Sequence, residues 1–226
     1  MKRLASAAAA LCAALALAVP AQAQISGSPH DFRLNTTWSG SSTTDNEICV
    51  FCHAPHNNKD ASLYKPLWNH AVSASTSYSM YVGLDLQGQG SSITGVSALC
   101  LSCHDGVLAV NNYGTNDNSG NKLTSSDPEF FGTDLTNDHP ISITYEDATG
   151  AGTQDDGIRE RGTTVTGVLA GSGISTIADL LDGSGATALI QCSSCHDVHN
   201  QVPIGVASLL HKSNNGSALC LTCHIK

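Results

Sequence analysis

The chain has 226 residues, with ten Lys and Arg against nineteen Asp and Glu, a formal charge of -9, and only 5% aromatic side chains. So acidic a chain excludes a binder of nucleic acid or anionic lipid that works through a basic surface. So little large apolar side chain excludes an ordinary core for this length, and something other than polypeptide must fill the interior.

Lys2 and Arg3 precede an apolar run over residues 4–19, then Pro20 and the small-residue tripeptide Ala21, Gln22, Ala23. This pattern predicts a signal peptide over residues 1–23, cleaved after Ala23, and hence a secreted protein. The run is too short to cross a bilayer and no later segment is longer, so no membrane insertion is expected. Cleavage removes Lys2, Arg3 and Cys12 but no acid, leaving eight bases against nineteen acids, a formal charge of -11.

Two cysteines three positions apart, followed at once by histidine, then occur four times: Cys49/Cys52/His53, Cys100/Cys103/His104, Cys192/Cys195/His196 and Cys220/Cys223/His224. This is the attachment pattern of c-type haem. The thiols fit the two vinyl groups on one porphyrin edge, and the adjacent imidazole reaches the iron as proximal ligand. Paired Cys-X-X-Cys also serves zinc sites and disulfides, but neither needs a histidine after every pair. Four covalently attached haem c groups are predicted, and they consume every cysteine of the cleaved chain.

The four motifs alternate. Residues 49–57 read CVFCHAPHN and residues 192–200 read CSSCHDVHN, whereas residues 97–104 read SALCLSCH and residues 217–224 read SALCLTCH. The A, B, A, B order predicts two tandem dihaem modules, residues 24–110 and 111–226. Between the second and third motifs the chain is dense in Gly, Ser, Thr and Asp. A turn-rich surface loop is expected at 111–126, short strands at 141–145 and 163–169, and a short helix near 175–181. With a helical turn at each motif, the expected fold is haem-dominated, mostly irregular coil with short helices and a few short strands.

Four distal positions remain, and six further histidines can fill them: His30, His56, His70, His139, His199 and His211. His56 and His199 stand three residues beyond a proximal His whose haem is already tied to their own segment. They are expected to coordinate a neighbouring haem, the B haem of the same module. One more pair is needed. His30 lies in Ser28-Pro29-His30-Asp31 and His139 in Asp138-His139-Pro140, where Pro stiffens the backbone and Asp can accept an imidazole N–H, so this pair is favoured. His70 and His211, or a mixed choice, are the alternatives. Met80, the one Met beyond the signal, is read as a packing residue. Bis-His coordination makes low-potential carriers. His30, near the cleaved N-terminus, is also a candidate for ligation across a subunit boundary.

The strings CHAPHN, PLWNH, CLSCHDG, DHPIS and CSSCHDVHN resemble, in order, those of multihaem c-type cytochromes of metal-reducing bacteria. Four haems on about 200 residues behind a signal peptide resemble the OmcE-type extracellular cytochromes, whose subunits polymerise into haem-filled filaments. The resemblance implies distal roles for His30 and His139, bis-His ligation throughout, haems in alternating parallel and T-shaped contact, and one ligand shared between subunits. It implies partners that are other copies of the chain, redox-partner cytochromes or metal oxides, at the cell exterior. The expected function is electron transfer and not enzymatic catalysis, because every motif ends in His and surplus His can cap each iron. The alternatives are a monomeric periplasmic shuttle and, from another class, a multihaem reductase, which requires an iron with an open position.

Overall fold

The computed structural model describes residues 24–34, 47–56, 67–73, 77–83, 92–116, 120–145, 157–168, 172–199 and 209–225. The expected signal peptide lies outside them. Each motif makes one helical turn, closed by the proximal His N–H donating to the carbonyl of the first Cys. The distances are 2.8 Å for His53 to Cys49, 3.0 Å for His196 to Cys192 and 2.9 Å for His224 to Cys220. The second motif is the last turn of a longer helix, α1, Gly95–His104, which buries Ser97, Leu99, Leu101 and Ser102. The fourth forms α2, Cys220–Cys223, and the third a 3-10 turn, Cys192–Ser194.

The 175–181 expectation becomes a 3-10 helix, Ile177–Leu180, whose Thr176 and Asp179 cap each other reciprocally. The two expected strands shorten. β1 is Ile143–Thr144, because Ser142 takes φ 56° and the left-handed conformation cannot continue a ladder. It pairs antiparallel with β2, Leu189–Ile190, matching Ile143 with Ile190 and Thr144 with Leu189. Around 163–168 the expected strand reduces to a single bridge, Thr164 to Thr176, before the chain bends at Gly167, φ 77°. The expected surface loop is corrected in part. Asn112, Tyr113 and Leu123 are buried, and the Tyr113 ring packs 4.7 Å from that of Phe51, because an aromatic and a Leu within a polar run are drawn inward.

Apolar contact is thin. Tyr145, Val165, Ile177 and Leu180 form a small core, with Ile158, Ile174 and Cys223 among its partly buried neighbours. Polar ties carry much of the rest. Gln191, 1% exposed, accepts the Ser97 N–H at 3.2 Å and the Ser142 hydroxyl at 3.3 Å through Oε1, while the Cys192 N–H donates to Ser97 Oγ at 3.0 Å. These bonds hold α1 against the third motif. Gly95 makes the approach possible: at φ 56°, a Cβ there would lie 2.6 Å from Asp182 Oδ2 and 2.9 Å from Gln191 Nε2. Only Gly meets both demands.

Candidate haem centres

All eight motif cysteines are free thiols; Cys49 and Cys220 are exposed and the others partly buried. Among the described residues, no group of three or more His, Cys, Asp or Glu converges as a metal cage would require. The disulfide and zinc readings thus find no geometric support there.

The histidines pair instead. The His30 and His104 rings lie 6.2 Å apart at 56°. His53 and His199 are 6.2 Å apart and nearly parallel at 16°. His139 and His224 are 6.2 Å apart at 76°. A metal–imidazole nitrogen bond of about 2 Å, plus about 1 Å from nitrogen to ring centre, puts two axial imidazoles about 6 Å apart. Three pairs therefore stand at the separation that one iron between them demands, and each contains one motif histidine. His199 meets His53 and not His224, contrary to the expectation that it serves the B motif of its own module. The physical reason is visible in the backbone, where the Gln24 N–H donates to the His199 carbonyl at 2.7 Å and ties this turn to the start of the described chain. His56 is exposed and outside these three pairs.

Ring protons are placed to match. His104 Nδ1 donates to the Glu129 carbonyl at 2.7 Å and His139 Nδ1 to the Pro140 carbonyl at 2.9 Å. A carbonyl only accepts, so Nε2 is left with its lone pair. Burial, and then the nearby His104 and His196, lower the pKa of His30 to about 4, which keeps it neutral and able to ligate. Asp31 follows at once. Its buried carboxylate accepts Arg33 Nε at 2.8 Å, Arg33 Nη2 at 2.8 Å and the Gly27 N–H at 2.9 Å, fixing the loop that carries His30. The expectation that Asp31 accepts an imidazole N–H is replaced by this Arg33 fork.

The two alternatives point elsewhere. His70 is 1% exposed, with Nδ1 2.7 Å from the Ala71 carbonyl and Nε2 3.0 Å from the Ala109 carbonyl. His211 Nε2 donates to the Ser193 carbonyl at 2.9 Å. Met80 lines an apolar recess with Leu135, Ile141, Ile143 and His139.

Neighbouring motifs also approach one another through their thiols. Cys103 lies close to Cys52. Cys100 hydrogen-bonds Cys192, whose pKa falls to about 7 on accepting that proton. Cys195 lies close to Cys220 and Cys223, and burial first, then these thiols, push its own pKa up to about 11. Two buried donors near the motifs, Trp68 Nε1 and Gln191 Nε2, have no acceptor among the described residues. The Trp68 ring stands edge-on to His53 at 6.1 Å, and Gln191 directly precedes Cys192. Buried donors normally find partners, and haem carboxylates are acceptors of the right kind. With the ring pairs, this fits haem to the residues present. Composition and spacing gave no signal for Trp68 or for Gln191 beyond its place beside a motif.

Residues 186–226 match the family model of the doubled CXXCH motif. No curated protein matches this chain. The match covers the third and fourth motifs and identifies them as a doubled unit for covalent haem c. It supports a multihaem c-type cytochrome.

Proposed function

We propose that the protein transfers electrons through four bis-His, low-potential haem c groups in two tandem modules, as a subunit of an extracellular conductive filament of the OmcE type. The observation that carries this reading is the trio of imidazole pairs, each 6.2 Å apart. His53 with His199, His104 with His30, and His224 with His139 are the axial pairs it assigns. His196 and His56 are the remaining proximal and distal ligands. When bound, each haem supplies a one-electron iron couple.

The chain's own part is to space and insulate these groups. The Cys100 to Cys192 hydrogen bond, with Cys52 in the electrostatic reach of Cys103 and Cys223 in that of Cys195, brings successive attachment edges near one another, which favours a path from first motif to fourth. Closing both axial positions leaves no iron open to substrate, which favours a carrier over a reductase. Export, an exterior location, self-assembly and redox partners such as cytochromes or metal oxides follow from the signal-like N-terminus and the resemblance. The acidic surface disfavours nucleic acid.

Intact mass and spectroscopy of the native protein test the reading. The expected result is four haem increments with wholly low-spin ferric spectra and no rapid cyanide binding. A colourless protein, or one persistently high-spin haem that binds nitrite, overturns it. Negative-stain microscopy then separates long fibres, expected of the filament, from discrete particles, expected of a periplasmic shuttle.

A further inference from the structure

A haem-attachment turn that stops after one turn leaves the carbonyl of its first intervening residue without the i+4 N–H that a longer helix supplies. In the first motif that carbonyl is Val50, and the Ala54 N–H donates instead to Leu67 at 3.0 Å. In the third it is Ser193, and the Asp197 N–H goes to Leu209 at 2.6 Å. In the fourth it is Leu221, and the Ile225 N–H goes to Gly157 at 2.7 Å. The second motif differs: it is the last turn of α1, and the C-cap Asp105 N–H reaches the Leu101 carbonyl at 2.9 Å.

The three interrupted turns are repaired in one way. A passing segment forms an antiparallel bridge beside the proximal histidine, pairing Trp68 with His53, Leu210 with His196 and Ile158 with His224. The next residue then binds twice. Its N–H donates to the carbonyl of the second cysteine: Asn69 to Cys52 at 2.9 Å, His211 to Cys195 at 3.0 Å, Arg159 to Cys223 at 2.7 Å. Its side chain donates to the stranded carbonyl: Asn69 Nδ2 to Val50 at 2.7 Å, His211 Nε2 to Ser193 at 2.9 Å, Arg159 Nε to Leu221 at 3.1 Å. Leu67 and Leu209 enter two of these straps at φ 50° and 55°, a conformation Leu rarely accepts.

From this threefold recurrence we infer that Asn69, Arg159 and His211 are positioning residues that clamp the attachment turns of the first, fourth and third haems. They are equivalent to one another although their side chains share only an N–H donor. The inference rests on the proposed haem attachment and assigns His211 to a clamp and not to an iron.

The test compares holoprotein of H211N, H211L, R159L and N69L and the exchange variant N69H/H211N. Intact mass counts haems, and a spectroelectrochemical titration with carbon monoxide challenge of the reduced protein reports each variant's axial ligation. H211L, R159L and N69L are expected to keep four haem increments, shift one of four potentials and open one haem partly to carbon monoxide. H211N and the exchange variant are expected to match wild type. Wild-type behaviour of H211L, or a defect in H211N equal to that of H211L, overturns the clamp. If the Leu variants fail to mature, the exchange variant decides alone: four haems with wild-type potentials sustain the clamp, and a lost low-spin haem overturns it. Native protein that lacks haem sinks the underlying reading, an outcome distinct from all of these.

Discussion

A histidine next to a Cys-X-X-Cys pair declares its role by covalent proximity, whereas a distal histidine does so only through space. Hence spacing alone proposes His53, His104, His196 and His224 as proximal ligands, and it cannot propose their partners. The six remaining histidines look alike as letters, yet His30 and His139 face motif rings while the Nε2 of His70 and of His211 each point at a backbone carbonyl. His30→Ala should convert one haem to high-spin and open it to carbon monoxide, read by optical and EPR spectra. His70→Ala should leave all haems low-spin but cost about 2–4 kcal/mol in denaturant unfolding, because it removes a side chain only 1% exposed and leaves a cavity. Asp31→Asn removes the anionic side of the Arg33 fork and loosens the loop that carries His30. It should show as faster ligand exchange at the haem capped by His30.

At the scale of elements, the motif helices were legible and their lengths were not. A Cys-X-X-Cys-His string fixes one turn; whether the residues before it are helical too depends on tertiary contacts. α1 is longer because residues 95–99 precede the second motif as helix, and their entry needs Gly95 to pass Asp182 and Gln191. Gly95→Ala should lower thermal stability by roughly 1–2 kcal/mol from the left-handed backbone alone, more once the Asp182 contact is included. A Tm equal to wild type would remove this account of the α1 entry. Gln191→Leu strands the Ser97 N–H and should cost about 1–3 kcal/mol, measured by the same melt. Residue-type matching also misled here: it sets His70 beside His211, whereas backbone pairing sets Asn69 and Arg159 beside His211.

For the molecule as a whole, fifteen buried hydrophobic side chains among the described residues, clustered in a core only around Ile177, are too few to order so long a chain against its conformational entropy. Protein expressed without haem attachment should therefore lack a cooperative transition by far-UV circular dichroism, and a sharp unfolding curve from haem-free chain would refute this. The His53 and His199 contact also spans the two sequence repeats, so deleting residues 192–226 should disturb the first haem as well as removing the third and fourth. By itself the sequence determined the attachment chemistry, the alternation of motifs and the shortage of apolar side chain, because covalent spacing and composition are local properties. Only the tertiary structure decided which imidazoles face each other, which thiol edges adjoin and which donors clamp the turns, because each of those depends on residues from distant segments meeting at fixed distance.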